Sequence, residues 1–254
     1  MDAGQAIFLA AAAFAAGAIN GVAGGGSLVS FPALLAVGYP SKTANVTNTT
    51  ALWPGYVGGT IGYRSLLGTQ RGTIARLSTP SVIGAVAGSV ILLATSQSAF
   101  DAIVPFLILF GAGVLAFQSR LARVAVRFRG AARHESGRVT IELNVGVFAL
   151  AVYGAYFGAG LGTLTLALLG VLLPDDLHRS NALKGVLSLL INAVAVIWFA
   201  LFGPVEWPAA LVMAAAALAG GYFGVRIARL FSGRVLRIAI VSYSLVVAVI
   251  LLVR

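Results

Sequence analysis

The sequence contains no cysteine, and charged residues make up only 9% of its 254 positions. Disulfides and thiolate metal sites are therefore excluded. A soluble domain carries about a quarter charged residues, whereas 59% of this chain is hydrophobic and its mean hydropathy is +0.99. This composition predicts an all-α protein of the membrane, with several apolar helices that cross a lipid bilayer.

Acidic residues are also few, seven against 17 Lys and Arg, which gives a net charge of +10. A basic protein can bind nucleic acid, but here the arginines lie in short segments between apolar runs, where they orient helices against an anionic inner membrane face. We therefore predict no nucleic-acid partner and a multi-pass protein of the inner membrane. The most basic segment, 119–138, is predicted to be a cytoplasmic loop.

The apolar segments form two similar sets on either side of this loop. The first set covers about 5–37, 44–67, 73–96 and 100–118, and the second about 140–173, 180–203, 207–228 and 233–253. The motif Gly17-Ala-Ile-Asn-Gly21 matches Gly154-Ala-Tyr-Phe-Gly158, and Asn45-x-x-Asn48 matches Asn181-x-x-Lys184. We divide the chain into a repeat at 1–118, the loop at 119–138, and a second repeat at 139–254.

The positions of the arginines predict that the two repeats are inverted relative to each other. Corresponding inter-helix segments fall on opposite sides when basic segments are kept inside. An inverted repeat needs an odd number of crossings per half, so each long first segment is expected to turn back at its glycines. This predicts a bundle of two inverted repeats, each a glycine-broken hairpin plus three transmembrane helices, with the N-terminus outside. Re-entrant and fully spanning hairpins both remain open.

Polar residues within the apolar segments cluster at the two predicted hairpin tips and at the starts of the helices that follow. Exposed glycine amides and helix N-termini attract anions, and polar residues inside a membrane mark transport sites. We predict a site for a small anion between the tips. Its candidate residues are Asn20, Gly24, Gly25, Gly26, Ser27, Asn45, Asn48, Thr49, Tyr156, Gly160, Gly162, Thr163, Asn181, Lys184 and Ser188.

Lys184 is the most informative of these candidates, because it lies four residues into an otherwise apolar segment. Either its side chain extends to the membrane interface, or it faces the cavity opposite Asn48 and fixes an anionic substrate. Glycines elsewhere have a simpler explanation: the spacing of Gly84 and Gly88, or of Gly220 and Gly224, is typical of closely packed membrane helices.

Enzymatic chemistry is not predicted. His134 and His178 fall outside the apolar segments, and no nucleophile with a neighbouring base lies within them. The glycine runs follow no strand and lack the P-loop lysine, so they do not indicate a nucleotide site. We expect no cofactor and no metal. The acidic residues all map to termini or loop edges, so a coupling proton is expected to come with the substrate or through Lys184.

The segments 20–34 (NGVAGGGSLVSFPAL) and 44–50 (ANVTNTT), with a weaker second copy at 158–163, resemble the TauE/SafE family of sulfite and sulfonate exporters. The resemblance implies export of small sulfur-containing anions across the bacterial inner membrane, coupled to the proton gradient. It also implies that the motif residues Gly24, Gly25, Gly26, Pro32, Asn45, Asn48 and Thr49 are important. In the second copy, Thr163 replaces the third glycine and Lys184 takes the place of Asn48.

These observations together predict a secondary transporter of sulfite or short organosulfonates that works by alternating access around a midplane site. Two alternatives remain: an anion pathway without coupling, and a membrane scaffold or subunit that transports nothing and uses its glycines for packing. Oligomeric state cannot be derived from these patterns.

Overall fold

The computed structural model describes residues 1–22, 24–61, 67–129, 139–173, 177–224 and 233–253. Nearly all of them are helical, and no strand occurs among them. The prediction of an all-α membrane protein is confirmed. The second part of the predicted basic loop, 130–138, and residues 174–176 lie outside the described residues.

Each half of the chain contributes a broken first segment and three further helices. The first half contains α1 (Ala3–Val22), α2 (Ser27–Ala36), α3 (Ser41–Ile61), α4 (Arg71–Ala94) and α5 (Gln97–Ala116). A helix α6 (Gln118–Arg129) follows. The second half contains α7 (Ile141–Tyr156), α8 (Leu161–Leu172), α9 (Leu177–Phe202), α10 (Trp207–Ala219, with a π-helical turn at Gly220–Gly224) and α11 (Gly233–Val253).

Both long first segments break at their glycines, as predicted. The first break has positive φ at Gly24 (66°) and Gly25 (145°), and the second has it at Gly158 (75°) and Gly160 (77°). A side chain at these positions would clash with the backbone, so glycine is what allows the chain to reverse. The two arms of the first hairpin are unequal: α1 has 20 residues and α2 has 10, or about 30 Å and 15 Å at 1.5 Å per residue.

The predicted loop after residue 118 begins instead with the helix α6. Its arginines recur at helical spacing, with Leu121 and Val124 between Arg120 and Arg127, so a polar and an apolar face form together. The apolar face explains the helix, because α6 packs against α8 of the second hairpin. The prediction of a loop at 119–138 relied on charge density alone, which does not report helical periodicity.

Within the described ranges, five helices are long and apolar enough to cross a membrane: those covering Ala3–Asn20, Gly68–Ala94, Gln97–Ala116, His178–Phe202 and Val235–Val253. Large apolar side chains lie exposed on their outer faces, among them Ile7, Leu201 and Val253. Such surface is stable only in contact with lipid. The chain is therefore a multi-pass membrane protein.

Helix α3 has the right length but is absent from those five, because its first half is rich in Asn and Thr. It lies at the centre of the bundle, where Asn45, Thr47 and Asn48 are almost fully buried.

The helices of the two halves pack in matching pairs. Helix α1 packs against α10 and α7 against α4; α3 packs against α10 and α9 against α4. Contacts between α3 and α9 and between α5 and α11 join equivalent helices of the two halves. This correspondence agrees with a repeat, and the inversion of the halves across the membrane stays a prediction.

Glycines make the closest of these contacts possible. A Cβ built on Gly220 would overlap the carbonyl oxygen of Phe14, and one on Gly88 would overlap that of Val152. The backbones of α1 and α10, and of α4 and α7, therefore approach each other more closely than any residue with a side chain allows.

Candidate functional site

A cavity of about 230 Å³ lies between the two hairpin tips and the central helices α3 and α9. Its size is slightly below the range of about 300–1,000 Å³ for pockets that hold drug-sized ligands. The walls combine glycine backbone with polar side chains. The lining residues are Asn20, Gly24, Gly25, Ser27, Gly55, Tyr56, Thr60, Gly158, Leu161, Gly162, Asn181, Lys184, Gly185 and Ser188.

The two hairpin tips meet at this cavity. A Cβ built on Gly24 would lie 3.7 Å from the Cα of Gly162 and 3.8 Å from the backbone nitrogen of Thr163. The backbones of the two tips therefore lie within van der Waals reach of each other, and the positive φ of Gly24 (66°) is what favours glycine at that position. One wall of the cavity is thus shared by the two halves of the chain.

The first tip is held closed by the side chain of Asn20 at the end of α1. Its Oδ1 accepts hydrogen bonds from the backbone N–H groups of Gly25 (3.0 Å) and Gly26 (2.8 Å). The sequence had suggested that these amides would be free for an anion, but they are bonded to Asn20. Because the carboxamide oxygen is occupied, the Nδ2 donor of Asn20 is the part that can serve a ligand.

The second tip is held by a different side chain. The hydroxyl of Tyr153 donates to the carbonyl oxygen of Ala159 (2.5 Å), and the N–H of Gly158 donates to the carbonyl of Tyr153 (3.1 Å). The two halves thus stabilise equivalent turns with unrelated residues, and this difference was not visible in the aligned motifs.

Of the described residues that line the cavity, Lys184 alone carries a charge. Its Cδ lies 3.8 Å from the position of a Cβ built on Gly162, so the lysine stem extends over the second tip. Among the described residues, none forms a hydrogen bond or an ion pair with Lys184. A cation in this position attracts an anion, since an isolated charge inside a membrane protein is unfavourable.

A buried hydroxyl group lies one helical turn from this lysine. Ser188 lies one turn further along α9, is 3% exposed, and its Oγ has no hydrogen-bond partner. A buried unpartnered hydroxyl costs stability, and a ligand in the cavity would satisfy it. No group of three or more His, Asp or Glu residues that could hold a metal occurs in the part of the chain that the structure describes.

The cavity occupies only one end of the α3 and α9 pair. It is lined by Gly55, Tyr56 and Thr60 from the second half of α3 and by residues 181–188 of α9. At the other end the same helices are tightly packed, with Val46, Ala195 and Phe199 almost fully buried. Among the described residues, the α3 and α9 pair thus leaves free space for a ligand at one end and is filled by side chains at the other.

The first half of α3 takes part in this closed end. The Nδ2 of Asn45 donates to the carbonyl oxygen of Tyr156 (2.8 Å), and the hydroxyl of Ser30 donates to Oδ1 of Asn48 (2.5 Å). The rings of Phe31 and Phe157 are in edge contact at 5.4 Å. The prediction that Asn48 shares a cavity with Lys184 does not match this geometry, because its side chain is bonded within the closed end.

The structure thus brings together eight of the fifteen predicted site residues and leaves seven away from the cavity. Around it lie Asn20, Gly24, Gly25, Ser27, Gly162, Asn181, Lys184 and Ser188. Away from it lie Gly26, Asn45, Asn48, Thr49, Tyr156, Gly160 and Thr163.

Asn45 and Asn48 are bonded within the closed end, as described above, and local packing or hydrogen bonding accounts for the other five. Gly26 is pressed against the carbonyl of Ala16, and Gly160 lies where a Cβ would be 3.1 Å from Val114. The Tyr156 ring packs against Phe100 at 5.8 Å. Thr163 is buried at the contact with Gly24, and the Thr49 hydroxyl donates to its own helix at Asn45.

Sequence reasoning missed the contribution of the second half of α3. Tyr56 and Thr60 are one helical turn apart and face Gly185 of α9, whose Cβ position would be 3.5 Å from the Thr60 hydroxyl. The available signal was the continuation of the polar face of α3 from Asn45 at helical spacing. Trp53 lies on the same helix but is not among the lining residues, and its Nε1 donates to the carbonyl oxygen of Leu189 (3.3 Å).

Comparison with known proteins gives matches over nearly the whole chain. A family model described as "Sulfite exporter TauE/SafE" matches residues 9–251. The chain is 28% identical to "Probable membrane transporter protein ORF9" of Sinorhizobium sp, over 96% of this chain and 91% of that protein. It is 25% identical to a "Probable membrane transporter protein" of Haemophilus influenzae, over 84% of this chain and 81% of that protein. No solved structure matches the chain.

Proposed function

This chain belongs to the sulfite exporter TauE/SafE family, and from that premise we propose that it exports sulfite or short organosulfonates across the inner membrane. The broader function, that of a membrane transporter of this family, follows from the family and the relatives. The substrate, the direction of transport and the transport mechanism are proposed here beyond that family-level function.

The observation that carries the proposal is the cavity between the two hairpin tips, with Lys184 as its single charge. Its size suits a small molecule, its lysine suits an anion, and the hydroxyls of Ser27, Tyr56 and Ser188 offer donors to anion oxygens. The position at the junction of the two halves is typical of secondary transporters, in which substrate sites lie where structural repeats meet.

The one-sided cavity supports transport by alternating access. In the orientation that keeps the basic segments inside, the cavity end of α3 and α9 faces the cytoplasm. An exporter must load its substrate from that side. Rocking one repeat against the other would open the Asn45 end and close the Thr60 end, and release the anion outside.

Proton coupling has few groups to depend on. The described part of the cavity lining contains no Asp or Glu. We propose that the proton travels with the substrate, as it would on hydrogensulfite, or on Lys184. An imposed pH gradient tests this in proteoliposomes: acceleration of sulfite flux is expected, and equal flux with and without the gradient indicates an uncoupled anion pathway.

The main test replaces Lys184 by Met in protein reconstituted into liposomes. Loss of most sulfite and sulfonate flux is expected, because the cavity then has no charge to hold an anion. The matched control is Lys42→Met, since Lys42 is the only other lysine and its Nζ donates to the carbonyls of Leu93 and Thr95 (both 2.7 Å), away from the cavity.

Two results would contradict the proposal. Unchanged flux in Lys184→Met with normal flux in Lys42→Met would remove Lys184 from the site. Absence of flux in the unsubstituted protein, together with no thermal stabilisation by any of a panel of sulfur oxyanions, would favour the scaffold alternative.

A further inference from the structure

The charge of the cavity restricts the charge of its ligand. Lys184 contributes one positive charge, and the other described residues that line the cavity contribute none of either sign. A singly charged anion therefore leaves the occupied cavity neutral. A doubly charged anion leaves one negative charge uncompensated in a protein interior, where the surroundings screen charge poorly.

The uncharged groups around Lys184 favour acceptor-only oxygens. Ser188 has a buried hydroxyl without a partner, and it follows Lys184 by four residues, so both lie on the same face of α9. The oxygen of Asn20 is occupied by the tip amides, which leaves its Nδ2 donor for a ligand. These groups offer donors to the oxygens of an anionic head group, but they add no second full charge.

We propose that the cavity selects singly charged oxyanions and discriminates against dianions, with Lys184 as the counter-charge and Ser188 as a specificity-determining donor. This inference rests on the proposed function and narrows it: the transported species is a sulfonate, or the hydrogensulfite form of sulfite, and not the fully ionised sulfite or sulfate. Sulfonates and hydrogensulfite share an SO₃ head group with one negative charge.

The first experiment measures binding of methanesulfonate and of sulfate to the purified full-length protein at constant ionic strength. Both ions are small and tetrahedral around sulfur, and they differ by one unit of charge. Binding of methanesulfonate at least about tenfold tighter is expected. Equal or tighter binding of sulfate overturns the inference and leaves the proposed transport of sulfur oxyanions intact, whereas binding of neither ion contradicts the proposed function itself.

A pH series with sulfite gives an independent measure, because hydrogensulfite loses its proton near neutral pH. If only the monoanion binds, the apparent affinity for total sulfite falls by about tenfold per pH unit above that ionisation. Methanesulfonate keeps its charge over this range, so its affinity reports any titration of the protein. A sulfite affinity that parallels that of methanesulfonate at all pH values contradicts selection of the monoanion.

Ser188→Ala tests the donor assignment. The variant removes an unpartnered hydroxyl, so folding should be unaffected, while methanesulfonate affinity is expected to fall at least about threefold. Ser244→Ala is the matched control: Ser244 is also fully buried in a helix, but its hydroxyl donates to the carbonyl of Ile240 and it does not line the cavity. Equal affinities in the two variants would exclude Ser188 from the site.

Discussion

At the scale of single residues, the first hairpin tip depends on Asn20 as much as on its glycines. Gly24 and Gly25 allow the chain to adopt positive φ, but glycine alone leaves the tip amides without a defined partner. The Asn20 carboxamide supplies that partner to two amides at once. The Asn20 side chain at the end of α1 therefore fixes the conformation of the tip between α1 and α2, which forms part of the cavity wall.

Replacing Asn20 by Ala or by Asp separates its two contributions. Asn20→Ala leaves two part-buried N–H groups without an acceptor, at a cost of about 1–3 kcal/mol each, so a lower melting temperature is expected. Asn20→Asp keeps the acceptor but places a negative charge in the cavity with Lys184. It should melt like the unsubstituted protein and lose anion binding.

The control for these variants is Asn144→Ala, which removes a hydrogen bond from Nδ2 of Asn144 to the carbonyl oxygen of Thr140, four residues earlier. This variant should change neither the melting temperature nor anion binding substantially. If Asn20→Ala melts at the same temperature as Asn144→Ala, the tip does not depend on this carboxamide.

At the scale of helices, glycine has two different functions that sequence spacing does not separate. Gly84 and Gly88 lie under the backbone of α7: a Cβ on Gly84 would be 2.5 Å from the carbonyl oxygen of Phe148, and one on Gly88 would overlap that of Val152. Gly113 lies within α5 with nothing inside 4 Å of its Cβ position. Gly84 and Gly88 therefore set the distance between α4 and α7, whereas Gly113 sets no distance between helices.

We expect Gly88→Ala to destabilise the protein by about 1–3 kcal/mol, because α4 and α7 must separate to accept the methyl group. Gly113→Ala serves as the control and should be neutral or stabilising by up to about 1 kcal/mol, since alanine favours a helix over glycine. Thermal unfolding in detergent measures both. Equal stability of the two variants would show that the contact between α4 and α7 tolerates a side chain.

At the scale of the whole molecule, the central helices are open to a ligand at one end and closed at the other. Thr60 lies at the cavity end of α3, and Thr50 lies at the closed end. Both hydroxyls donate to the carbonyl four residues earlier, Tyr56 and Val46 respectively, at 2.9 Å. The two threonines therefore differ in their surroundings and not in their local bonding.

Single cysteines at these positions test the one-sided arrangement, because the chain has no other cysteine. Thr60→Cys is expected to react with a membrane-impermeant thiol reagent from the cytoplasmic side, and methanesulfonate should slow the reaction. Thr50→Cys should remain unreactive from both sides in the absence of substrate. Similar reaction rates at the two positions would refute a cavity open at one end only.

The sequence by itself determined the class of fold. Scarce charge and long apolar runs require a helical membrane protein, the glycine clusters mark where the first segment of each half must reverse, and the TauE/SafE motifs indicate the family. These properties depend on composition and on local backbone conformation. A linear pattern records both.

Only the tertiary structure decided which polar residues meet. Asn45 and Asn48 lie on the same helix as Tyr56 and Thr60, yet the former are bonded within the closed end and the latter line the cavity. The motif pairs Asn48 with Lys184, but their environments differ because the two ends of α3 and α9 are packed differently. Residues far apart in the chain, such as Gly24 and Gly162, approach through the folding of both hairpins, and no local sequence pattern specifies that contact.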